Sequence, residues 1–306
     1  MGNEFKGIQA HSAEHFGDLR ARWWNGDFLA MIAREWNLDR GPRVLDIGCG
    51  VGHWGSTLAR ALPDMTLVGI DREPIWVQRA RDRAEQQGLA SRFEYQVASA
   101  EDLPFDAESF DLVTCQCVLM HVPSPSSVLA QMVRVTRVGG VVAVAEPTNI
   151  AGPILDSIAL GDEPESTANL FRMHLTCMSG KVRLGEGDDR IGEQVAHLLT
   201  DAGLQSVHVR NNDRVWTLGA PYSSPDEKEQ VEELEDTVAR DVWVWDRETT
   251  RRYFVAGGGA QGDFDMLWKA AMGQRTRVLE AIRERRFATV GGSLFYLGWG
   301  RRASSP

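Results

Sequence analysis

The chain has 306 residues, 43% of them hydrophobic and 25% charged, with a formal net charge of −10. That length holds one large domain or a domain with sizeable insertions, and that balance buries an ordinary globular core. The acidic surplus repels phosphate backbones and no run of Lys and Arg offsets it, so nucleic acid is not an expected partner.

The four cysteines (Cys49, Cys115, Cys117 and Cys177) form no CxxC pair, so neither a disulfide framework nor a zinc site is expected. The histidines are scattered with no pair at metal-ligand spacing, and no metal is expected. No apolar run reaches the roughly 18 residues that span a bilayer, and the first residues lack a signal-peptide core. The expectation is a cytoplasmic protein without a membrane partner.

In chain order, residues 1–40 read as a helical cap rich in aromatics (Phe16, Trp23, Trp24, Phe28, Trp36). Arg43 to Ile47 reads as a buried strand, followed by a glycine-rich turn and a helix from about His53 to Leu62. A strand over Thr66–Asp71 and a helix over Glu73–Gln87, closed by Gly88, come next. Phe93–Ala98, Phe110–Cys115 and Val141–Ala145 supply three further strands. Residues 150–190 read as irregular, Ile191–Ala202 as a helix and Gln205–Arg210 as a sixth strand.

Ser224-Pro225-Asp226-Glu227 then opens a helix with a capping box, and Val231, Leu234, Val238, Val242 and Trp245 recur at helical spacing. A second helix covers about Asp263–Arg286, and Gly292–Trp299 reads as a last strand. Strands alternating with helices imply βαβ units and a parallel sheet. The organisation that follows is a cap at 1–40, a core at 41–212, a helical insertion at 213–288, and a final core strand and tail at 289–306.

The chemistry concentrates after the first strand. In Asp46-Ile47-Gly48-Cys49-Gly50-Val51-Gly52 the glycines let the backbone lie against a ligand at a helix N-terminus. A dinucleotide fingerprint needs glycine or alanine where His53 stands, and it needs no acid at Asp46. The loop therefore suits a ligand with an ammonium group better than a pyrophosphate, and a nicotinamide-dependent oxidoreductase is the weaker alternative. Asp71, closing the second strand, is placed to accept hydrogen bonds from ribose hydroxyls, or simply to cap the next helix.

The run Val44 to Asn149, with VLDIGCGVG, VGID, ASAEDLPF, SFDLV, VLMHVPSP and GGVVAVAEP in order, resembles the class I S-adenosylmethionine-dependent methyltransferases, in their small-molecule branch. The resemblance covers about a third of the chain. It implies an α/β, Rossmann-like fold with a seven-stranded, mostly parallel sheet whose last strand is antiparallel, S-adenosyl-L-methionine as cofactor, and a small-molecule acceptor, with bacterial specialised metabolism as the setting.

Residue by residue, it implies that Asp46, Gly48, Cys49, Gly50 and Gly52 hold the methionine moiety and Asp71 the ribose. Ser99, Ala100 and Glu101 would border the adenine, with Cys115 and Gln116 beside the sulfonium and amino groups. Ser99 stands where many relatives have aspartate, and Arg72 where many have a small or apolar residue, so adenine stacking there falls to a guanidinium or to another group.

A methyl sulfonium is already activated, so positioning supplies most of the rate, and a base is needed only for a protonated nucleophile. His121, after the fourth strand, is the first candidate for orienter or base; a local hydrogen bond without proton transfer is the other reading. Glu146, at the end of the fifth strand, is the second catalytic candidate, with a structural acid as the alternative. The insertion and the cap carry many of the ten tryptophans (Trp23, Trp24, Trp243, Trp245, Trp268), which suggests a lid with aromatic walls for a flat or cationic acceptor. Dimerisation is the alternative task for the insertion. A cofactor-binding protein that keeps the fold without the transfer is a third reading of the whole chain.

Overall fold

A computed structural model describes residues 23–150, 152–291 and 294–304, apart from the side chains of Pro153 and Ile154. The elements are α1 (Gly26–Trp36), β1 (Arg43–Ile47), α2 (His53–Ala61), β2 (Thr66–Asp71), α3 (Pro74–Gln86), β3 (Phe93–Val97), β4 (Phe110–Gln116), α4 (Pro125–Val135), β5 (Thr136–Thr148), α5 (Gly152–Leu160) and α6 (Pro164–Arg183). They continue with α7 (Val195–Asp201), β6 (Leu204–Asn211), β7 (Trp216–Gly219), α8 (Pro225–Ala239), α9 (Arg247–Ala256), α10 (Phe264–Arg283), β8 (Ala288–Gly291) and β9 (Leu294–Arg302).

The described residues form two compact units, one within residues 23–148, 191–214 and 294–304, the other within residues 149–150, 152–190 and 215–291. In the first unit seven strands lie in the order β3-β2-β1-β4-β5-β9-β6. β1 to β5 pair in parallel, and β9 runs antiparallel between β5 and β6. This is the Rossmann-like sheet with an antiparallel last strand.

Parallel strands covered on both faces carry continuous apolar runs, and β1, β4 and β5 do so: Val44, Leu45, Ile47, Leu112, Val113 and Val141–Ala145 are fully buried. The order reverses between β1 and β4, and a ligand crevice forms at the carboxyl ends of strands at such a point. β5 and β6 end and β9 begins at that same carboxyl edge, because β9 runs opposite to β5 and β6.

The second unit is helical, with a two-stranded ribbon of β7 and β8. Residues 150–190, expected to be irregular, form α5 and the 20-residue α6, and belong to this unit together with residues 215–293. Leu170, Met173, His174, Cys177, Met178 and Lys181 make the buried stripe of α6 at helical spacing. Polar members of that stripe hide its period in the sequence.

α6 and α9 meet backbone to backbone: a Cβ on Gly180 would collide with the carbonyl of Tyr253, and one on Gly257 with the carbonyl of Thr176. The helix expected from Ser224 to Trp245 ends at Ala239, and a separate α9 begins at Arg247, capped by Asp246. The capping box at Ser224 and Glu227 is formed as read, with Pro225 in the first turn. The ribbon, inside the span read as helical, carries no signal beyond Val215-Trp216-Thr217-Leu218 and Ala288-Thr289-Val290. Residues 1–22 of the expected cap, with His11, His15 and Phe16, and Gly292 and Ser293 of the expected last strand, fall outside the described residues.

Candidate active site

Asp46 ends the apolar run of β1 with its side chain 1% exposed. A backbone N–H of Gly55 in α2 bonds its carboxylate, while Oδ2 has no hydrogen-bond partner among the described residues. Burial pushes its pKa up to about 8, and nearby Asp71 adds to the rise. The loop beyond it turns through left-handed backbone at Gly48 (φ 63°), Gly50 (φ 53°) and Gly52 (φ 80°). A Cβ on Gly48 would stand 2.5 Å from Cγ2 of Val118, so the loop lies directly on the turn after β4. Cys49 donates its N–H to the carbonyl of Ile70 at 2.8 Å; burial raises its thiol well above the ordinary range and keeps it protonated.

Asp71, at the end of β2, accepts two backbone N–H groups. Its Oδ2 accepts the Gly50 N–H at 3.0 Å and its Oδ1 the Glu73 N–H at 3.0 Å, so one carboxylate ties the glycine loop to the start of α3. Burial raises its pKa despite those two bonds. Arg72 beside it is 80% exposed and pairs with Glu73 at 3.5 Å, leaving its guanidinium in solvent. After β3, Ser99 and Glu101 are exposed and Ala100 is half-buried. The Ser99 hydroxyl accepts the Glu101 N–H at 3.2 Å and shapes that turn.

β4 sets Thr114 beside Asp46 and Cys115 beside Ile47 of β1, and Gln116 ends the strand. Cys115 is fully buried, its thiol pushed well up by burial and aimed at Glu146 Oε1 at 3.9 Å. Gln116 is 8% exposed and its Nε2 has no partner. Cys117 follows with φ 55°, a left-handed conformation that non-glycine residues adopt at a cost. A single 3₁₀ turn, Leu119–His121, comes next.

Glu146 holds that turn. Its Oε1 accepts the N–H groups of Val118 (2.9 Å) and Leu119 (2.8 Å), and its Oε2 that of Met120 (3.4 Å). The side chain is 0% exposed, and burial lifts its pKa to about 7 against the pull of those donors. The geometry therefore gives Glu146 the structural reading over that of an acid or base meeting substrate. His121, at the end of the turn, is half-buried.

The structure thus brings Asp46, Gly48, Cys49, Gly50, Gly52, Asp71, Cys115 and Gln116 together at the switch point, with His121 one turn beyond. It leaves Arg72 turned to solvent. Two residues escaped the sequence reading. Val118 packs on Gly48, and the ring of Tyr95 fills the space over Gly69. A glycine inside an otherwise apolar strand, as at Gly69, is the signal that could have pointed to a close approach.

The tryptophans differ from expectation. Trp23, Trp24, Trp243, Trp245 and Trp268 are each at most 7% exposed. Trp23 and Trp24 pack on Phe295 of the first unit, while Trp243, Trp245 and Trp268 lie in the main apolar cluster of the second. They are core residues of their own units. Among the described residues, no group of three His, Cys, Asp or Glu is placed to hold a metal ion, and no helix is long and apolar enough to cross a membrane.

Comparison with known proteins agrees with this geometry. A family model described as a methyltransferase domain matches residues 38–203. The ubiquinone biosynthesis O-methyltransferase of Aeromonas salmonicida is 32% identical over 142 residues, covering 42% of this chain and 58% of that protein. Methyltransferase GfsG of Streptomyces halstedii is 36% identical over 110 residues, covering 36% and 39%. The match thus spans less than two thirds of either relative's length. A crystal structure of a methyltransferase from Bacillus halodurans superposes with a TM-score of 0.52 at 18% identity, over 91% of this chain and 100% of that one, and shares the fold. The chain belongs to the class I S-adenosylmethionine-dependent methyltransferases.

The residues present fit that cofactor. A buried carboxylate oxygen without a partner suits an ammonium group, and the orphaned Gln116 Nε2 beside it supplies a donor for a carboxylate or hydroxyl. The side chains missing at Gly48 and Gly52 make room for Val118 and Tyr95, which pack directly against the loop. When bound, S-adenosylmethionine supplies a methyl group on a sulfonium that needs no further activation. The protein's share is to hold the amino-acid end, orient the acceptor in line and exclude water.

Proposed function

We propose that this protein transfers a methyl group from S-adenosylmethionine to a small-molecule acceptor. The carrying observation is Asp46, a buried acid with one unpartnered oxygen at the switch point of the sheet. In this reading Asp46, Gln116 and the loop from Gly48 through Cys49 and Gly50 to Gly52 hold the methionine moiety. Asp71 takes the ribose, and Ser99, Ala100 and Glu101 border the adenine. Arg72 reaches the adenine only by leaving Glu73. Cys115 lines the floor as a neutral thiol.

His121 orients the acceptor or takes its proton, on a turn fixed by Glu146. The relative named for ubiquinone biosynthesis supports a small-molecule acceptor, as does the acidic charge balance. The second unit, which carries no cofactor motif, is assigned the choice of acceptor.

The test is calorimetric titration with S-adenosylhomocysteine, followed by incubation with methyl-labelled cofactor and a low-mass metabolite extract. Micromolar binding and label in a low-mass product are expected. Binding of NAD in place of S-adenosylhomocysteine would overturn the reading, and label confined to protein or nucleic acid would overturn the acceptor class.

A further inference from the structure

Strand register sets Asp46 of β1 beside Gly69 of β2, and Gly69 beside Tyr95 of β3. Residues in register across a parallel sheet point to the same face, so the three form one row of which the middle member lacks a side chain. Tyr95 uses that gap. An ideal Cβ on Gly69 would lie 2.5 Å from its Cδ1, so the ring crosses β2 where any other residue would block it. The hydroxyl then reaches the glycine loop, 2.9 Å from where a Cβ of Gly52 would stand. Tyr95 is 5% exposed. Burial first, and then the acids Asp46 and Cys49, hold its phenol in the protonated form, so it faces the loop as an O–H dipole.

We propose that Tyr95 is a positioning residue for the amino-acid end of the cofactor, acting through Asp46 and the turn at Gly52. This rests on the assignment of S-adenosylmethionine to the first unit. A hydroxyl dipole in a low-dielectric site stabilises a neighbouring carboxylate anion, and Asp46 has little else to do so. The ring also braces the left-handed turn at Gly52 from behind. The adenosine end is held elsewhere, by Asp71 and the turn at Ser99, so the effect of Tyr95 is confined to one end of the ligand.

The test uses two ligands that share adenosine and sulfur. S-Adenosylhomocysteine carries the amino-acid end and 5′-methylthioadenosine lacks it. Tyr95→Phe is expected to weaken S-adenosylhomocysteine about fivefold, the effect of one lost polar interaction, and to leave methylthioadenosine within about twofold. Gly69→Ala, which displaces the ring without removing the hydroxyl, is expected to act in the same direction and keeps the test independent of the folding of either single variant.

Unchanged S-adenosylhomocysteine affinity in both variants, or equal loss for both ligands, would overturn the inference. Wild-type protein that binds neither ligand would overturn the cofactor assignment and this inference with it, and that failure is recognisable because it precedes any substitution.

Discussion

The two units treat buried charge in opposite ways. In the second, Lys181 and Asp189 are 1% and 5% exposed and form an ion pair with each other. In the first, Asp46 and Glu146 are just as buried, yet peptide N–H groups and the Cys115 thiol, not cations, are their hydrogen-bond donors, and among the described residues Asp46 Oδ2 has no partner. A paired buried charge is a structural element, costly only when one partner is removed. An unpaired buried acid keeps its proton in the free protein and gives it up when a ligand of opposite charge arrives. The difference separates a scaffold from a site without reference to any relative.

That contrast is sharpest in two substitutions expected to act with opposite sign on stability. Lys181→Met leaves Asp189 buried without its cation and is expected to cost about 3–5 kcal/mol in urea unfolding, the range for a broken buried pair. Asp46→Asn removes an uncompensated acid of the same shape and is expected to stabilise the cofactor-free protein by about 1–3 kcal/mol, while weakening S-adenosylhomocysteine by about 10–100-fold. If Asp46→Asn destabilises as Lys181→Met does, Asp46 is a scaffold residue and the contrast fails.

A pH series sharpens the same point. The Asp46 carboxyl keeps its proton up to about pH 8 in the folded protein, but loses it near 3.8, its ordinary value, in the unfolded chain. The folded state therefore binds the extra proton between those values, and this group lowers the stability of the cofactor-free protein as pH rises through that window. Cofactor affinity runs the other way, because the ammonium needs the anion. Calorimetry from pH 6 to 8 is expected to show tightening of at most about tenfold per pH unit, flattening above about 8, and absent in Asp46→Asn.

The smallest expected effect lies in the second unit. Ser224→Ala breaks the capping box of α8 and is expected to cost about 1 kcal/mol, with S-adenosylhomocysteine affinity unchanged. A change in that affinity would show that the second unit bears on the cofactor.

The first unit was readable because its signals are local. Val44-Leu45 and Val141-Val142 announce buried strands, Gly48, Gly50 and Gly52 announce a backbone that meets a ligand, and Asp46 and Asp71 stand at strand ends. The parallel sheet followed from them, and the seven-stranded fold and the cofactor from the family resemblance that the motifs carry. Tyr95 was not readable, since its meaning depends on which residue of β2 lies beside it, and register is a property of the pair.

The second unit resists for a related reason. His174 and Lys181 occupy core positions of α6 because Asn149 and Asp189 receive them: His174 Nε2 lies 2.8 Å from the Asn149 carbonyl, and Lys181 pairs with the Asp189 carboxylate. Read alone, they look like the polar face of a helix or like no helix at all. The Gly257-Gly258-Gly259 run reads as a slack linker, but Gly257 is where α9 touches α6.

The place of β9 has a consequence for how the protein is made. Among the described residues β6 pairs only with β9, and β9 follows the second unit in the sequence. During synthesis β6 therefore leaves the ribosome with no neighbour to join, and it waits while some 80 residues of the second unit are translated. At elongation rates of about 5–20 residues per second the wait is on the order of 4–16 seconds, long against the folding of a helical unit. The second unit thus has time to fold before the sheet of the first can close, and the exposed edge of β5 is the surface a chaperone would meet in that interval.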